Sequence, residues 1–475
     1  MTDRFPRDLR GYGRTPPDPQ WPGGAKLCVQ FVINYEEGGE SSILDGDPAS
    51  ESLLSEIVGA QRWPGQRNLN MESLYEYGSR AGFWRLWRMF TVRRMPVTVY
   101  AVTRALERNP EVVEAMQEAD WEIASHGLRW LEYKDFSEDE ERRHIRDAVR
   151  IHTEITGTRP LGIYQGKPSA NTLKLVMEEG GFVYSSDSYA DDLPYWVDGP
   201  NGPHLIIPYT LDTNDMRFAT PQGFNSGDQF FTYLKDAFDV LYAEGEAGSP
   251  KMLNVGLHCR LVGRPARAAA LARFLDYVQS HDDVWVARRI DIARHWHEHF
   301  TPLPGLKPSA MDRETFVATF GGVFEHSPFV VERAFERGLH ASHDNPAGLS
   351  GAMNAAFRAA SVEERLGVLK AHPDLAGRLA LAGDLTEASK SEQASAGLDR
   401  LTPDELARFQ ALNARYVAAF GFPFIMAVKG KTKGEILAAF ETRVENDRDT
   451  EFSIAAREVE RIARLRIGQI FGDAA

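Results

Sequence analysis

At residues 122–130 the chain reads Glu122-Ile123-Ala124-Ser125-His126-Gly127-Leu128-Arg129-Trp130, a short apolar run followed at once by polar residues. The apolar run, Trp121 to Ala124, predicts the end of a buried strand. In α/β folds ligands bind beyond the carboxyl ends of strands, so His126 stands where chemistry is expected. A histidine that only caps the strand end is the alternative interpretation.

Two other predicted strands also lead into ionisable residues. Leu27 to Ile33 is followed closely by Glu36 and Glu37, and Leu253 to Leu257 runs directly into His258. Because the carboxyl ends of parallel strands meet at one edge of a sheet, these side chains are expected to lie close to one another.

Strand-type and helix-type runs alternate as far as residue 300, which predicts an α/β fold with a mainly parallel sheet. The linker that follows, residues 301–308, holds three prolines and a glycine, a composition that does not belong inside a helix or strand. Beyond it, capping boxes at Ser361 to Glu364 and Thr402 to Glu405 start helices, so residues 309–475 are predicted to form an all-α domain. Further strands are predicted at Val97–Val102, Gly162–Gln165, Phe182–Tyr184, Leu205–Ile207 and Val284–Ala287, and a helix at Ser73–Arg88.

The three strand ends resemble those of the polysaccharide-deacetylase superfamily. Glu36-Glu37 stands where that family has Asp-Asp, and His126-x-x-x-Trp130 stands where it has His-x-x-x-His, so the second metal-binding histidine is missing. This departure resembles the allantoinase branch of the superfamily, which is described as working without the usual zinc. The resemblance covers residues 1–300 and implies an irregular (β/α) barrel.

The same resemblance implies catalytic roles. Glu36 matches the base that activates water, and His258 matches the general acid. Glu37 and His126 match two metal-ligand positions, and Trp130 fills the third. Catalytic zinc usually has three protein ligands, so neither a metal nor another cofactor is expected. A metal held by water or by another residue is the alternative.

Further residues are assigned to the substrate pocket by resemblance. Arg159, in Thr158-Arg159-Pro160, matches the arginine-proline motif that orients the base. Asp192 and Arg260 lie in segments that match the allantoinase branch, and with Glu37 and Trp130 they are expected to bind a small, polar, uncharged ureide such as allantoin. For any one of these arginines, a surface ion pair is the alternative interpretation.

Four fragments of the all-α domain carry unusual residues. His372 precedes a proline, which pushes it out of helical geometry and just past a helix end. Glu392 lies in Ser391-Glu392-Gln393, and Phe422 to Ile425 form an apolar loop broken by proline. Arg466 falls on the apolar face of the last helix. A buried arginine needs an anion, and an internal Glu or Asp is the alternative to a bound ligand.

Together these fragments resemble the decarboxylases of 2-oxo-4-hydroxy-4-carboxy-5-ureidoimidazoline (OHCU). The resemblance covers residues 309–475 and implies no metal or organic cofactor. The implied site consists of the catalytic pair His372 and Glu392, of Arg466 at the polar edge of the substrate, of Phe422 and Ile425 at its ureido group, and of Pro328 in the segment Glu325-His326-Ser327-Pro328.

The two resemblances imply successive reactions in urate breakdown. The all-α domain would produce allantoin and the α/β domain would hydrolyse it to allantoate, in a homo-oligomer that acts on small ureides. The alternative is a zinc-dependent polysaccharide deacetylase that carries a helical dimerisation or docking module.

Composition narrows the class of protein further. The net charge of −14 argues against a nucleic-acid partner, and no apolar run approaches the ~18 residues of a membrane span. Residues 1–24 lack the apolar segment of a secretory signal. Cys28 and Cys259 lie in apolar, strand-like runs, so buried reduced thiols in a cytoplasmic protein are expected rather than a disulfide.

Overall fold

The structure, a computed structural model, describes residues 7–14, 16–302, 306–375, 396, 398 and 400–472. They divide into two compact units, the N-terminal unit (residues 18–301) and the C-terminal unit, which combines residue 302 onward with the described residues before Asp18. The sequence had assigned those first residues to the α/β domain. They group with the helices through contacts remote in sequence, such as the hydrogen bond between the Tyr12 backbone and the His340 ring.

The N-terminal unit is built on one curled sheet. Its strands run in the order β6-β7-β5-β4-β3-β2-β1-β8, and β9 pairs with the first residues of β1. All pairs are parallel except β6 with β7, so the predicted irregular (β/α) barrel is confirmed. The strands are β1 Leu27–Tyr35, β2 Thr98–Ala101, β3 Glu122–Ser125, β4 Gly162–Ile163, β5 Tyr184–Ser185, β6 Tyr195–Gly199, β7 Gly202–Ile206, β8 Lys251–His258 and β9 Val284–Val286.

Helices cover the outer face of the sheet. The helix predicted at Ser73–Arg88 is two helices, α1 and α2, joined by a π-helical turn at Gly78–Gly82. The strand β6 was not predicted, because its residues are half-buried or exposed and show no apolar run. The helices are α1 Leu69–Tyr77, α2 Phe83–Val92, α3 Thr103–Arg108, α4 Pro110–Glu118, α5 Glu138–Thr156, α6 Thr172–Glu179, α7 Gly227–Glu246, α8 Pro265–Gln279 and α9 Arg289–Phe300.

Alternation along β1 separates the two faces of the sheet. Phe31 and Ile33 belong to the large apolar core beneath the helices, whereas Gln30 and Asn34 point the other way. Asn34 donates from Nδ2 to the Tyr209 hydroxyl at 2.9 Å. The inner face of the barrel therefore carries polar side chains, and each needs a partner there.

Arg289 donates five of the hydrogen bonds inside the barrel. It is fully buried, and its Nη1 donates to Gln30 Oε1 at 2.8 Å, while its Nη2 donates to the Pro208 carbonyl oxygen at 2.8 Å. Each acceptor is neutral, so this cation is held by hydrogen bonds rather than by a carboxylate. Its other acceptors are Asn254 Oδ1, Ser186 Oγ and the carbonyl oxygen of Ile207.

The described residues of the C-terminal unit form helices joined by turns and loops, without strands, as predicted. The capping boxes at Ser361 and Thr402 are both formed, each with its glutamate three residues on. No helix among the described residues is long and apolar enough to cross a membrane. The helices are α10 Arg313–Phe320, α11 Phe329–Glu336, α12 Pro346–Arg358, α13 Val362–Ala371, α14 Pro403–Phe420, α15 Lys433–Arg443 and α16 Arg448–Phe471.

The two cysteines are buried free thiols, as the sequence indicated. Cys28 lies on β1 and Cys259 directly follows β8. Burial raises the pKa of both thiols well above the ordinary value, so both are protonated and unreactive at neutral pH.

Replacing Arg289 with methionine is expected to destabilise the N-terminal unit. Five acceptors lose their donor, so the free energy of unfolding should fall by about 3 kcal/mol or more, although removing a buried cation offsets part of the loss. Urea unfolding followed by tryptophan fluorescence measures it, because all nine tryptophans precede residue 302. Arg294→Met, at an exposed position on the same helix, is the control. Equal midpoints for the two variants would contradict the expectation.

Candidate active sites

The carboxyl ends of β1, β3 and β8 bring together Glu36, His126 and His258. Glu36 Oε1 lies 3.2 Å from His126 Nε2 and 3.6 Å from His258 Nε2. All three side chains are buried. His126 Nδ1 lies 2.6 Å from the carbonyl oxygen of Tyr164, which can only accept, so Nδ1 carries the proton and the ring orientation is fixed.

Arg260 orients Glu36 from the opposite side. Its Nη2 lies 2.6 Å from Glu36 Oε2, and its Nε donates to the carbonyl oxygen of Leu54 at 2.7 Å. Burial by itself would raise the pKa of Glu36, but the charges of Arg260 and His258 hold that pKa well below its ordinary value. Glu36 is therefore a carboxylate at neutral pH. Because the arginine is fully buried and committed to this carboxylate, its contacts indicate a positioning role rather than the predicted substrate contact.

Backbone N–H groups beside the site hold the carboxylate of Glu37. Its Oε2 accepts from the Glu36 backbone N–H at 3.1 Å, and its Oε1 accepts from the Arg260 backbone N–H at 3.2 Å. A side chain at Gly78, on the π-helical turn, would approach Glu37 Oε1 to 2.3 Å, so only glycine fits there. Burial raises the pKa of Glu37, against the opposing charge of Arg260.

His258 is held as an acid by a residue that was not predicted. Asp215 Oδ1 lies 2.6 Å from His258 Nδ1, and Asp215 Oδ2 accepts from the His258 backbone N–H at 2.7 Å. Burial would lower the pKa of His258, but the charges of Asp215 and Glu36 raise it to about 9. The imidazole is therefore protonated at neutral pH. Nothing in the sequence distinguishes Asp215 from Asp212, which is exposed three residues earlier.

The residues do not fit a zinc ion. No three His, Cys, Asp or Glu side chains converge as metal ligands in the described part of the chain. Trp130, buried at the third ligand position, has no lone pair to offer. Both oxygens of Glu37 already accept hydrogen bonds, and the guanidinium of Arg260 lies where a metal would be repelled.

Arg159 is not in this site, so its predicted role is wrong. It precedes β4 and thus lies at the amino end of the sheet, whereas the site is at the carboxyl ends. Its Nη2 pairs with Glu179 Oε2 at 2.7 Å, the ion-pair alternative that the sequence left open. Arg260 orients Glu36 instead.

Asp192 is also placed elsewhere. Its carbonyl oxygen accepts from the Met252 backbone N–H at 3.0 Å, near the start of β8. His258 is six residues further along that strand, roughly 20 Å away at ~3.3 Å per residue. Asp192 lines a separate cleft of about 720 Å³, so the prediction that it binds substrate beside Glu36 is wrong.

In the C-terminal unit, His372 follows the last residue of α13 in extended geometry, as the proline after it predicted. The side chain is buried, and Nδ1 lies 3.2 Å from the carbonyl oxygen of Val368. Nε2 has no hydrogen-bond partner among the described residues. Burial, with the charge of Arg466, lowers the pKa of His372 to about 4. The ring is neutral at pH 7, and Nε2 presents a buried lone pair.

Arg466 pairs with an internal acid, the alternative that the sequence allowed. Its Nη1 lies 2.6 Å from Glu325 Oε2, and both side chains are buried. The charge of Arg466 lowers the pKa of His372 and the charge of Glu325 raises it, so the three groups lie close together in one site. Pro328 is exposed and immediately precedes α11, in the same segment as Glu325.

The other predicted residues of this unit divide into two cases. Phe422 and Ile425 are buried in the loop after α14, and the Ile425 carbonyl oxygen accepts from Arg443 Nη1 at 2.9 Å. That oxygen is thus already occupied. Glu392, the predicted partner of His372, lies outside the described residues.

Asp215→Asn is expected to lower the pKa of His258 markedly from about 9, because burial then prevails once the charge of Asp215 is gone. An NMR titration of the histidine Cε1–H resonances measures the shift. Asp212→Asn, three residues away and exposed, should leave the titration unchanged. A His258 that still titrates near 9 in Asp215→Asn would show that Asp215 does not set its charge.

Known proteins match the two parts of this chain separately. The polysaccharide deacetylase family model matches residues 71–176, and the OHCU decarboxylase family model matches residues 309–468. A putative polysaccharide deacetylase of Schizosaccharomyces pombe is 43% identical over 309 residues, which are 61% of this chain and 96% of the relative. A 2-oxo-4-hydroxy-4-carboxy-5-ureidoimidazoline decarboxylase of Haloferax volcanii is 45% identical over 161 residues, which are 34% of this chain and 92% of the relative.

A solved structure resembles the N-terminal part. The crystal structure of PuuE allantoinase has 61% sequence identity and a TM-score of 0.61, and the match covers 62% of this chain and 98% of that one. The matches cover nearly the full length of each relative. The chain therefore belongs to two families, to the polysaccharide deacetylases through its N-terminal part and to the OHCU decarboxylases through its C-terminal part.

Proposed function

We propose that the N-terminal unit hydrolyses the hydantoin ring of allantoin to give allantoate. The observation that carries this proposal is the pairing of an ionised carboxylate, Glu36, with a protonated imidazole, His258, 3.6 Å apart in one buried site. Amide hydrolysis needs a base for water and an acid for the leaving nitrogen, and these two groups are in the required protonation states at neutral pH.

The reaction uses both groups in one cycle. Glu36 takes a proton from water as the water oxygen bonds to the ring carbonyl carbon. His258 gives its proton to the ring nitrogen as the C–N bond breaks. The proton on Glu36 then returns to His258 across the 3.6 Å between them, which restores the starting state. His126, fixed by Tyr164, holds the other face of Glu36 Oε1.

Allantoin is favoured as substrate by similarity and by chemistry. The solved relative with 61% identity is named an allantoinase. A chemistry without zinc also fits this donor set better than zinc-dependent deacetylation of a sugar amide, because Trp130 fills a ligand position and the charge of Arg260, which pairs with Glu36, would repel a metal ion.

We propose that the C-terminal unit decarboxylates OHCU to allantoin. A relative at 45% identity over this region carries that activity in its name. The bond between the ring carbon and the carboxylate carbon breaks, CO₂ leaves, and the electron pair stays on the ring carbon until that carbon takes a proton from water on one face. A neutral His372, whose Nε2 has no partner among the described residues, can accept a hydrogen bond from the substrate. The family resemblance assigns Arg466, which here pairs with Glu325, to the anionic edge of the substrate.

The two proposed reactions are consecutive, since the product of the second unit is the substrate of the first. This order supports one bifunctional enzyme of urate breakdown rather than an enzyme with a docking module. A cytoplasmic homo-oligomer that acts on small ureides belongs to the same proposal.

Glu36→Gln tests the hydrolase. Loss of the base is expected to lower kcat for allantoin by about 10²- to 10⁴-fold, measured as allantoate formed. Glu76→Gln, on the exposed face of α1, is the matched control. Full activity of Glu36→Gln, or release of acetate from chitin oligomers by a wild type that leaves allantoin intact, would contradict the proposal.

His372→Ala tests the decarboxylase. The decay of OHCU absorbance, with substrate made freshly by uricase and the hydrolase that follows it, should fall to the uncatalysed rate because the buried acceptor is gone. His299→Ala, in the N-terminal unit, should keep the wild-type rate and a product of one enantiomer. A His372→Ala protein that still gives one enantiomer at the wild-type rate would remove His372 from the mechanism.

A further inference from the structure

A lysine cation lies on the tryptophan that replaces the missing histidine. Lys167 Nζ lies 3.3 Å from the centre of the Trp130 ring and 3.4 Å from the Trp130 carbonyl oxygen. An ammonium over an indole face is attracted by the ring's negative quadrupole. Trp130 therefore gives the Lys167 side chain a defined position beside the site.

Contacts with His126 fix the position of the loop that carries Lys167. The Tyr164 ring stacks on His126 with 5.1 Å between centroids, and its carbonyl oxygen accepts from His126 Nδ1. A side chain at Gly166 would approach His126 Cε1 to 2.9 Å, so this residue must be glycine. Asp187 closes the loop by accepting from the backbone N–H groups of Gln165 and Gly166, both at 2.7 Å. The position of Lys167 thus depends on the same residues that fix His126.

The ammonium group of Lys167 has no carboxylate in direct contact with it among the described residues. The charged groups that act on it are Glu51, Glu36, Glu132 and Arg62, but it forms no ion pair within the part of the chain that the structure describes. Burial lowers its pKa, against the opposing effect of Glu51 and Glu36. A largely buried ammonium without a carboxylate partner is available to a negative ligand.

Among the described residues Arg260 is also close to Trp130, 5.5 Å from the ring centre, but each of its three nitrogen atoms already donates a hydrogen bond. They serve Glu36 Oε2, the Leu54 carbonyl oxygen and Glu37 Oε1. Charge that develops on a substrate can be met by Lys167 without breaking an existing ion pair, whereas Arg260 would have to leave Glu36 uncompensated.

We infer that Lys167 is a catalytic residue of the N-terminal unit and that its ammonium binds the oxyanion formed when water attacks the ring carbonyl. This inference rests on the proposed hydrolysis of a cyclic ureide. The carbonyl π electrons move onto oxygen as the water oxygen bonds to carbon, and they return as the C–N bond breaks. Lys167 keeps its proton throughout, so the proton transfers remain those of Glu36 and His258. It supplies the positive charge that zinc supplies in metal-dependent relatives.

Lys167→Met tests this role with steady-state kinetics on allantoin. Removing one oxyanion donor is expected to lower kcat about 100-fold or more, with a smaller change in KM. Lys167→Arg, which keeps a cation over the ring, should retain more activity than Lys167→Met. Lys174→Met removes an exposed lysine of α6 and should behave as wild type.

A chemical rescue separates catalysis from folding. In Lys167→Ala, added propylammonium ion should restore part of kcat without changing the Tm, because the ion supplies charge but no covalent support. A kcat of Lys167→Met within about threefold of wild type, or absence of rescue in a folded Lys167→Ala, would overturn the role of Lys167 alone. A wild type inactive on allantoin would overturn both this inference and the proposed function.

Discussion

A row of buried charges holds the N-terminal site together. Arg260, Glu36, His258 and Asp215 alternate in sign, with neighbouring atoms 2.6 Å, 3.6 Å and 2.6 Å apart. Burial alone would neutralise Glu36 and His258, and each neighbour opposes that tendency. The loss of any member leaves an uncompensated charge away from water, which costs several kcal/mol. The same row sets the protonation states that hydrolysis requires.

This arrangement explains how a deacetylase-type barrel can present a site without metal ligands. The scaffold brings three strand ends together, and Trp130 takes a position that would otherwise hold a ligand. Around Trp130 the positive charge comes from side chains, since Arg260 pairs with Glu36 and Lys167 lies over the indole ring. The C-terminal unit also buries paired charges, because Glu325 neutralises the buried charge of Arg466, while His372 beside them stays neutral.

Much of the fold follows from local pattern. The apolar runs predicted the strands that carry Glu36, His126 and His258, and parallel pairing then brought these residues to one edge. The strand β6 and the π-helical turn at Gly78–Gly82 escaped prediction, because one lacks an apolar run and the other interrupts a regular helical period. The turn packs against residues distant in sequence, with Gly78 facing Glu37 and Gly82 facing Cys259, whereas β6 pairs with β7, which follows it almost at once.

By itself, then, the sequence determined the two-part architecture and the ionisable residues at three strand ends, since periodicity and strand direction are local properties. Tertiary structure alone decided the partners. In the sequence Asp215 cannot be told from its exposed neighbour Asp212. Only the folded chain places Asp215 against His258 at the end of β8. Arg260 rather than Arg159 pairs with Glu36, because Arg260 follows β8 at the carboxyl end of the sheet whereas Arg159 precedes β4 and pairs with Glu179. Lys167 gains its place only when two loops meet at Trp130, because which charges share a buried volume is a property of packing.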